Sequence, residues 1–70
     1  MTEPQHHVQD SIKVGVLVRA THGPHKGKQG KVIEIYQDRS VPYEAFRAFI
    51  ELPDQSGFFQ TRVAWLVRLP

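Results

Sequence analysis

The chain contains no cysteine. A disulfide, a thiolate zinc site and a thiol nucleophile are therefore all excluded. No apolar run approaches the ~18 residues that cross a membrane as a helix. Residues 1–10 are polar and lack the apolar stretch of a signal peptide. These absences lead us to expect a soluble, cytoplasmic protein. There is no internal repeat and no low-complexity segment. Acidic residues are missing from one long stretch, since none stands between Asp10 and Glu34.

What is present is small and unevenly charged. The chain has 70 residues, which allows one domain. That length is at or below the ~70–80 residues where a single core becomes comfortable. Stability must come from packing, from a closed sheet or from a partner. The net charge is +2. Residues 1–12 contribute −2 (Glu3, Asp10), and residues 13–31 contribute +5 (Lys13, Arg19, Lys26, Lys28, Lys31). The remainder carries five acids against four arginines, a contribution of −1. Concentrating the positive charge in one segment points to an anionic partner more strongly than the total does.

Residues 1–11 have the composition of a flexible tail, and the folded domain is expected over 12–70. Val14, Val16, Val18 and Ala20 alternate with Gly15, Leu17 and Arg19, the period of a strand. Residues 21–30 hold Gly23-Pro24, Gly27 and Gly30, and form a turn in which Gly27 and Gly30 can take positive φ. Residues 31–36 are apolar and β-branched, a second strand. Residues 43–52 fit either a strand with Phe46, Ala48, Ile50 and Leu52 on one face or a helix with Phe46, Phe49 and Ile50 on one stripe. The strand is chosen because the rest of the chain is β and a lone hairpin is not stable. A turn over 53–57, a strand over 58–62, a tight helical turn over 63–66 and a last strand over 67–69 complete the pattern. The expectation is an all-β fold, a small five-stranded antiparallel barrel with a short helical turn before its last strand. Its expected core is Val16, Val18, Val32, Ile35, Phe46, Ile50, Leu66 and Val67.

The segment Val16-Leu-Val-Arg-Ala-Thr-His-Gly-Pro-His-Lys-Gly-Lys-Gln-Gly-Lys-Val-Ile-Glu-Ile35 resembles a KOW motif, known from NusG-type transcription factors and several ribosomal proteins. The likeness covers about residues 14–36: alternating apolar residues, a Gly-Pro-basic-Gly-basic-x-Gly turn, then valine and further apolar residues. Gly15-Val16 departs from the Gly-Asp often found there. The resemblance implies an SH3-like barrel, in agreement with the strand count.

Arg19, Lys26, Lys28 and Lys31 are the candidates for phosphate contact, because ammonium groups neutralise phosphates and glycines let backbone N–H groups approach. The bland alternative is a solvated basic turn. His22 and His25 belong to the same turn and are expected in polar contacts. Together with His6 and His7 they do not make a metal site, since structural zinc wants four ligands, often thiolates. In a strand Phe58 and Phe59 face opposite sides, and Phe59 is taken as the one on the binding surface. The serines and carboxylates form no catalytic arrangement, so no enzyme activity and no cofactor are expected. The leading function is a non-catalytic module docking RNA or a ribonucleoprotein or transcription complex. An adaptor docking an acidic protein is the alternative, because a basic patch serves either partner. The ending also resembles the plasmid-borne type of dihydrofolate reductase, another SH3-like barrel. That family's Val-Gln-Ile-Tyr stretch is matched here by Phe59-Gln60-Thr61-Arg62, which lacks the Ile and Tyr.

Overall fold

The computed structural model describes residues 12–42 and 45–70. The expected tail over 1–11, with His6 and His7, lies outside the described residues, as do Tyr43 and Glu44.

Five antiparallel strands form one sheet: β1 (Leu17–Ala20), β2 (Gln29–Gln37), β3 (Phe46–Glu51), β4 (Phe58–Arg62) and β5 (Leu66–Arg68). Their spatial order is β4-β3-β2-β1-β5. A 3-10 turn, Val63–Trp65, joins β4 to β5 and packs on β3. The all-β class and the helical turn before the last strand agree with the sequence. The alternation also resolves the ambiguous segment. Ala48 and Ile50 are buried while Arg47, Phe49 and Glu51 lie on the opposite face, and β3 is paired on both sides, by β2 and by β4. That double pairing satisfies its backbone as a strand and removes the helical alternative.

One face of the curled sheet supplies the core: Ile12, Val18, Ala20, Val32, Ala48, Ile50, Phe59, Val63 and Leu66 are buried, with Val16, Ile35 and Leu52 packed against them. Burying a large apolar side chain contributes roughly 1.5–3 kcal/mol, so this cluster is what holds a chain without staples. β4 and β5 end the sheet order, and each sends a side chain, Phe59 and Leu66, into this cluster. A β-bulge between Val32 and Glu34 bends β2 around the core.

Four expectations need correction. β1 begins at Leu17 because residues 13–16 form a turn, with Gly15 at φ +100° donating its N–H to the Val32 carbonyl at 2.8 Å. Phe46 is exposed, since it pairs with Gln37 at the far end of the β2–β3 ladder, past the enclosed part of the sheet. Val67 is only half-buried, because it pairs with exposed Arg19 on the outer face of β1. Gly30 is not a positive-φ residue, unlike Gly27 at φ +91°. It is needed instead for close approach, as a Cβ there would collide with the Glu51 carbonyl oxygen.

Candidate functional site

Residues 21–28 connect β1 to β2 and carry the cationic cluster. The base of this loop is closed by backbone bonds between the strand ends: Ala20 N–H to the Lys28 carbonyl at 2.9 Å, and Gly27 N–H to the Ala20 carbonyl at 2.8 Å. Within it, Lys26 N–H donates to the Gly23 carbonyl at 3.1 Å and Lys28 N–H to the His25 carbonyl at 3.0 Å. The loop thus has its own turn structure, and its shape does not depend on the lysine side chains.

Trp65 fixes the loop from outside. Its carbonyl accepts both the Thr21 N–H at 2.8 Å and the Thr21 hydroxyl at 3.0 Å. A hydroxyl has one proton. With that proton given to Trp65, the 2.8 Å contact from Thr21 Oγ1 to His22 Nδ1 is satisfied when the imidazole donates. The indole ring also fills the space beside Gly23, which sits at φ +82°; a Cβ there would lie 2.5 Å from the ring. Arg62 lies over the same indole, 5.4 Å from its centroid. Trp65 is therefore packed between the loop and Arg62, and the lone tryptophan of the chain becomes a buttress.

The expected site residues divide into two groups. His22, His25, Lys26 and Lys28 share the loop. The His25 ring stacks 4.9 Å from Phe59, and Lys28 Nζ lies 5.8 Å from the same ring and donates to His25 Nδ1 at 3.4 Å. Arg19 and Lys31 are exposed on the outer face of the β1–β2 hairpin, where Lys31 pairs with Leu17 on one side and Glu51 on the other. Placing Phe59 on the surface is corrected: it is 6% exposed and pairs with Ile50 inside the barrel, while Phe58 is 62% exposed. Strand parity separates the two rings, but only the register decides which one turns inward. Phe59 supports the loop from beneath and leaves its upper side to the cations.

Sequence reasoning placed Gly23 in the turn but missed its close approach to Trp65 and the bonds from Thr21 that hold the loop there. It also missed the outer aromatic cluster, in which Phe49 lies 5.5 Å from both Tyr36 and Phe58. Gln60 joins that cluster, accepting from the Tyr36 hydroxyl and from Arg47 Nε. The signals were present but scattered, since pairing across three strands brings these residues together. Among the described residues no group of three or more His, Asp or Glu side chains is placed to hold a metal. No described helix is long and apolar enough to cross a membrane.

A model of the KOW motif matches residues 14–51, more than half of the chain. The chain belongs to the KOW-motif family. No curated protein and no solved structure gives a significant match. The KOW span contains β1, the cationic loop, β2 and β3, and it ends before Phe59 and Trp65. The two side chains that support the KOW loop thus come from the segment beyond the match. KOW motifs are common in ribosomal and transcription-associated proteins.

Proposed function

We propose that this KOW domain is a non-catalytic docking module of the cytoplasm, which binds RNA within a ribonucleoprotein or transcription complex through its 21–28 loop. One observation carries the reading. The loop presents Lys26 and Lys28 to solvent with no acidic residue in the segment, on a backbone closed by its own hydrogen bonds and tied to Trp65. A fixed loop loses little conformational freedom when it binds, so more of the ionic attraction appears as affinity. Family membership supports the same reading, because KOW motifs recur where RNA and protein assemble. His22 and His25 extend the polar surface of the loop, and Arg19 and Lys31 give a second pair of cations on the adjoining hairpin face.

The test is a titration with single-stranded RNA, duplex RNA and duplex DNA at two salt concentrations, beside a Lys26→Ala/Lys28→Ala variant. Removing one lysine–phosphate pair lowers the slope of log affinity against log salt by about one. The expected result is salt-sensitive binding whose slope falls by about two in the variant, with stability unchanged within about 0.5 kcal/mol. Absence of binding to every polymer at low salt overturns the proposal and favours an acidic protein as the partner.

A further inference from the structure

A second surface lies on the outer face of β2, β3 and β4, and its chemistry is unlike that of the loop. Three rows cross the strands here: Tyr36, Arg47 and Arg62; Glu34, Phe49 and Gln60; Lys31, Glu51 and Phe58. The rings of Tyr36, Phe49 and Phe58 form a continuous cluster. Ile33, the extra residue of the bulge, adds an exposed apolar side chain beside them. Phe58 and Ile33 are exposed and Tyr36 and Phe49 half-buried, and apolar groups clustered on a surface mark a candidate interaction site.

The charges on this face identify the partner. Lys31, Arg47 and Arg62 stand against Glu34 and Glu51, with Asp38 within electrostatic reach of both arginines. A phosphate strand laid along the rings would meet both glutamates, so this balance favours a protein. Along β3 the outward residues run Arg47, Phe49, Glu51: positive, aromatic, negative. That order is complementary to itself when run antiparallel.

We propose that this face is a homodimer interface, in which two copies meet about a two-fold axis that crosses the strands at Phe49. An isologous contact requires one patch to complement itself, and this one does. Phe49 meets Phe49, and Arg47 of each copy meets Glu51 of the other. Phe58 of each copy lies opposite the Arg62 position of the other, whose guanidinium is held over Trp65 within its own chain. Glu34 meets its own copy in the row of Phe49, a repulsion that the two Arg47–Glu51 pairs must offset. Dimerisation also suits a chain of this size without cysteine, because small domains often need an added source of stability. His25 and Lys28 lie against Phe59 on the other side of the sheet, so the dimer leaves the basic loops open.

Sedimentation equilibrium of the full chain, from micromolar to millimolar concentration, tests the proposal without any nucleic acid. The expected result is a reversible monomer–dimer equilibrium that Phe58→Glu weakens about tenfold or more. Arg47→Glu and Glu51→Arg should each weaken self-association by placing like charges opposite one another. Mixing these two variants should restore a heterodimer, an outcome available only to folded chains and so independent of any stability loss in the single variants. A wild-type chain that stays monomeric throughout, a dimer indifferent to Phe58→Glu, or a mixture that does not associate would each overturn it.

Discussion

The 21–28 loop and the outer face of β2–β4 solve opposite problems with similar residue types. The loop carries charge of one sign and is held by backbone hydrogen bonds, with one aromatic ring under it and one beside it. The outer face carries charge of both signs, and its aromatic rings, exposed Phe58 beside half-buried Phe49 and Tyr36, lie on the solvent side of the sheet. In the first region aromatics position cations; in the second, cations and carboxylates flank aromatics. An aromatic side chain near lysine or arginine therefore says little about function until its burial is known. Phe59 and Phe58 are adjacent in the chain and belong to different regions.

Gly30 offers the largest perturbation, because it lies between the two regions at the start of β2. Its missing Cβ lets β2 approach the Glu51 carbonyl and the Ile50 side chain. Adding a methyl group forces the β2–β3 backbones apart, and overpacking of this kind costs about 3 kcal/mol. Gly30→Ala should lower the urea midpoint accordingly and impair both regions together. A variant within about 0.5 kcal/mol of wild type, in the range of an ordinary surface substitution, would show that close packing at Gly30 does not set the register.

Gly23→Ala is the sharper instrument, because it should affect one region alone. The new Cβ would be strained at φ +82° and would press on the Trp65 ring. A left-handed conformation costs a non-glycine residue about 1–2 kcal/mol, and the clash with the ring adds to it. The expected outcome is a stability loss of roughly 2 kcal/mol, altered Trp65 fluorescence and weaker RNA binding, with self-association unchanged. Equal loss of RNA binding and dimerisation would show that the loop and the outer face are not independent.

The sequence exposes these regions unequally, for a physical reason. Turn chemistry is local, so Gly23-Pro24, Gly27 and the spaced lysines identify the loop without any tertiary information. Strand identity is also local: alternation gives β4 to the residue, and it identifies β3 once a helix is weighed against the surrounding strands. Register is a property of two chain segments at once. Whether Phe58 or Phe59 faces the core, and whether Arg47 stands opposite Arg62, depends on pairings that alternation alone leaves open. The approach of Gly23 to Trp65 spans most of the domain and involves no periodic pattern, so it too appears only in the fold.

The smallest expected effect concerns two aspartates in similar turns, and it separates a purely local interaction from one that reaches the outer face. The Asp38 carboxylate is held below its usual pKa first by the Ser40 hydroxyl, then by the Ser40 N–H, with Arg47 and Arg62 adding attraction. Asp54 is lowered by the equivalent Ser56 bonds, and no arginine contributes. A carboxylate whose folded pKa is depressed contributes stability that is full above its unfolded value, about 3.9, and is lost as pH falls through the folded value. Asp38→Asn and Asp54→Asn should therefore both be less stable than wild type near neutrality, and the differences should shrink as the medium is acidified below about pH 4. Salt distinguishes the two, because hydrogen bonds within a turn are little screened while the pull of the arginines is screened. Thermal unfolding at low and high salt should show the Asp38→Asn difference narrowing with salt and the Asp54→Asn difference holding. Equal salt responses would mean that Asp38 is held by its turn alone. The Arg47 guanidinium would then act on Gln60 of β4, to which its Nε donates, without pulling on the turn.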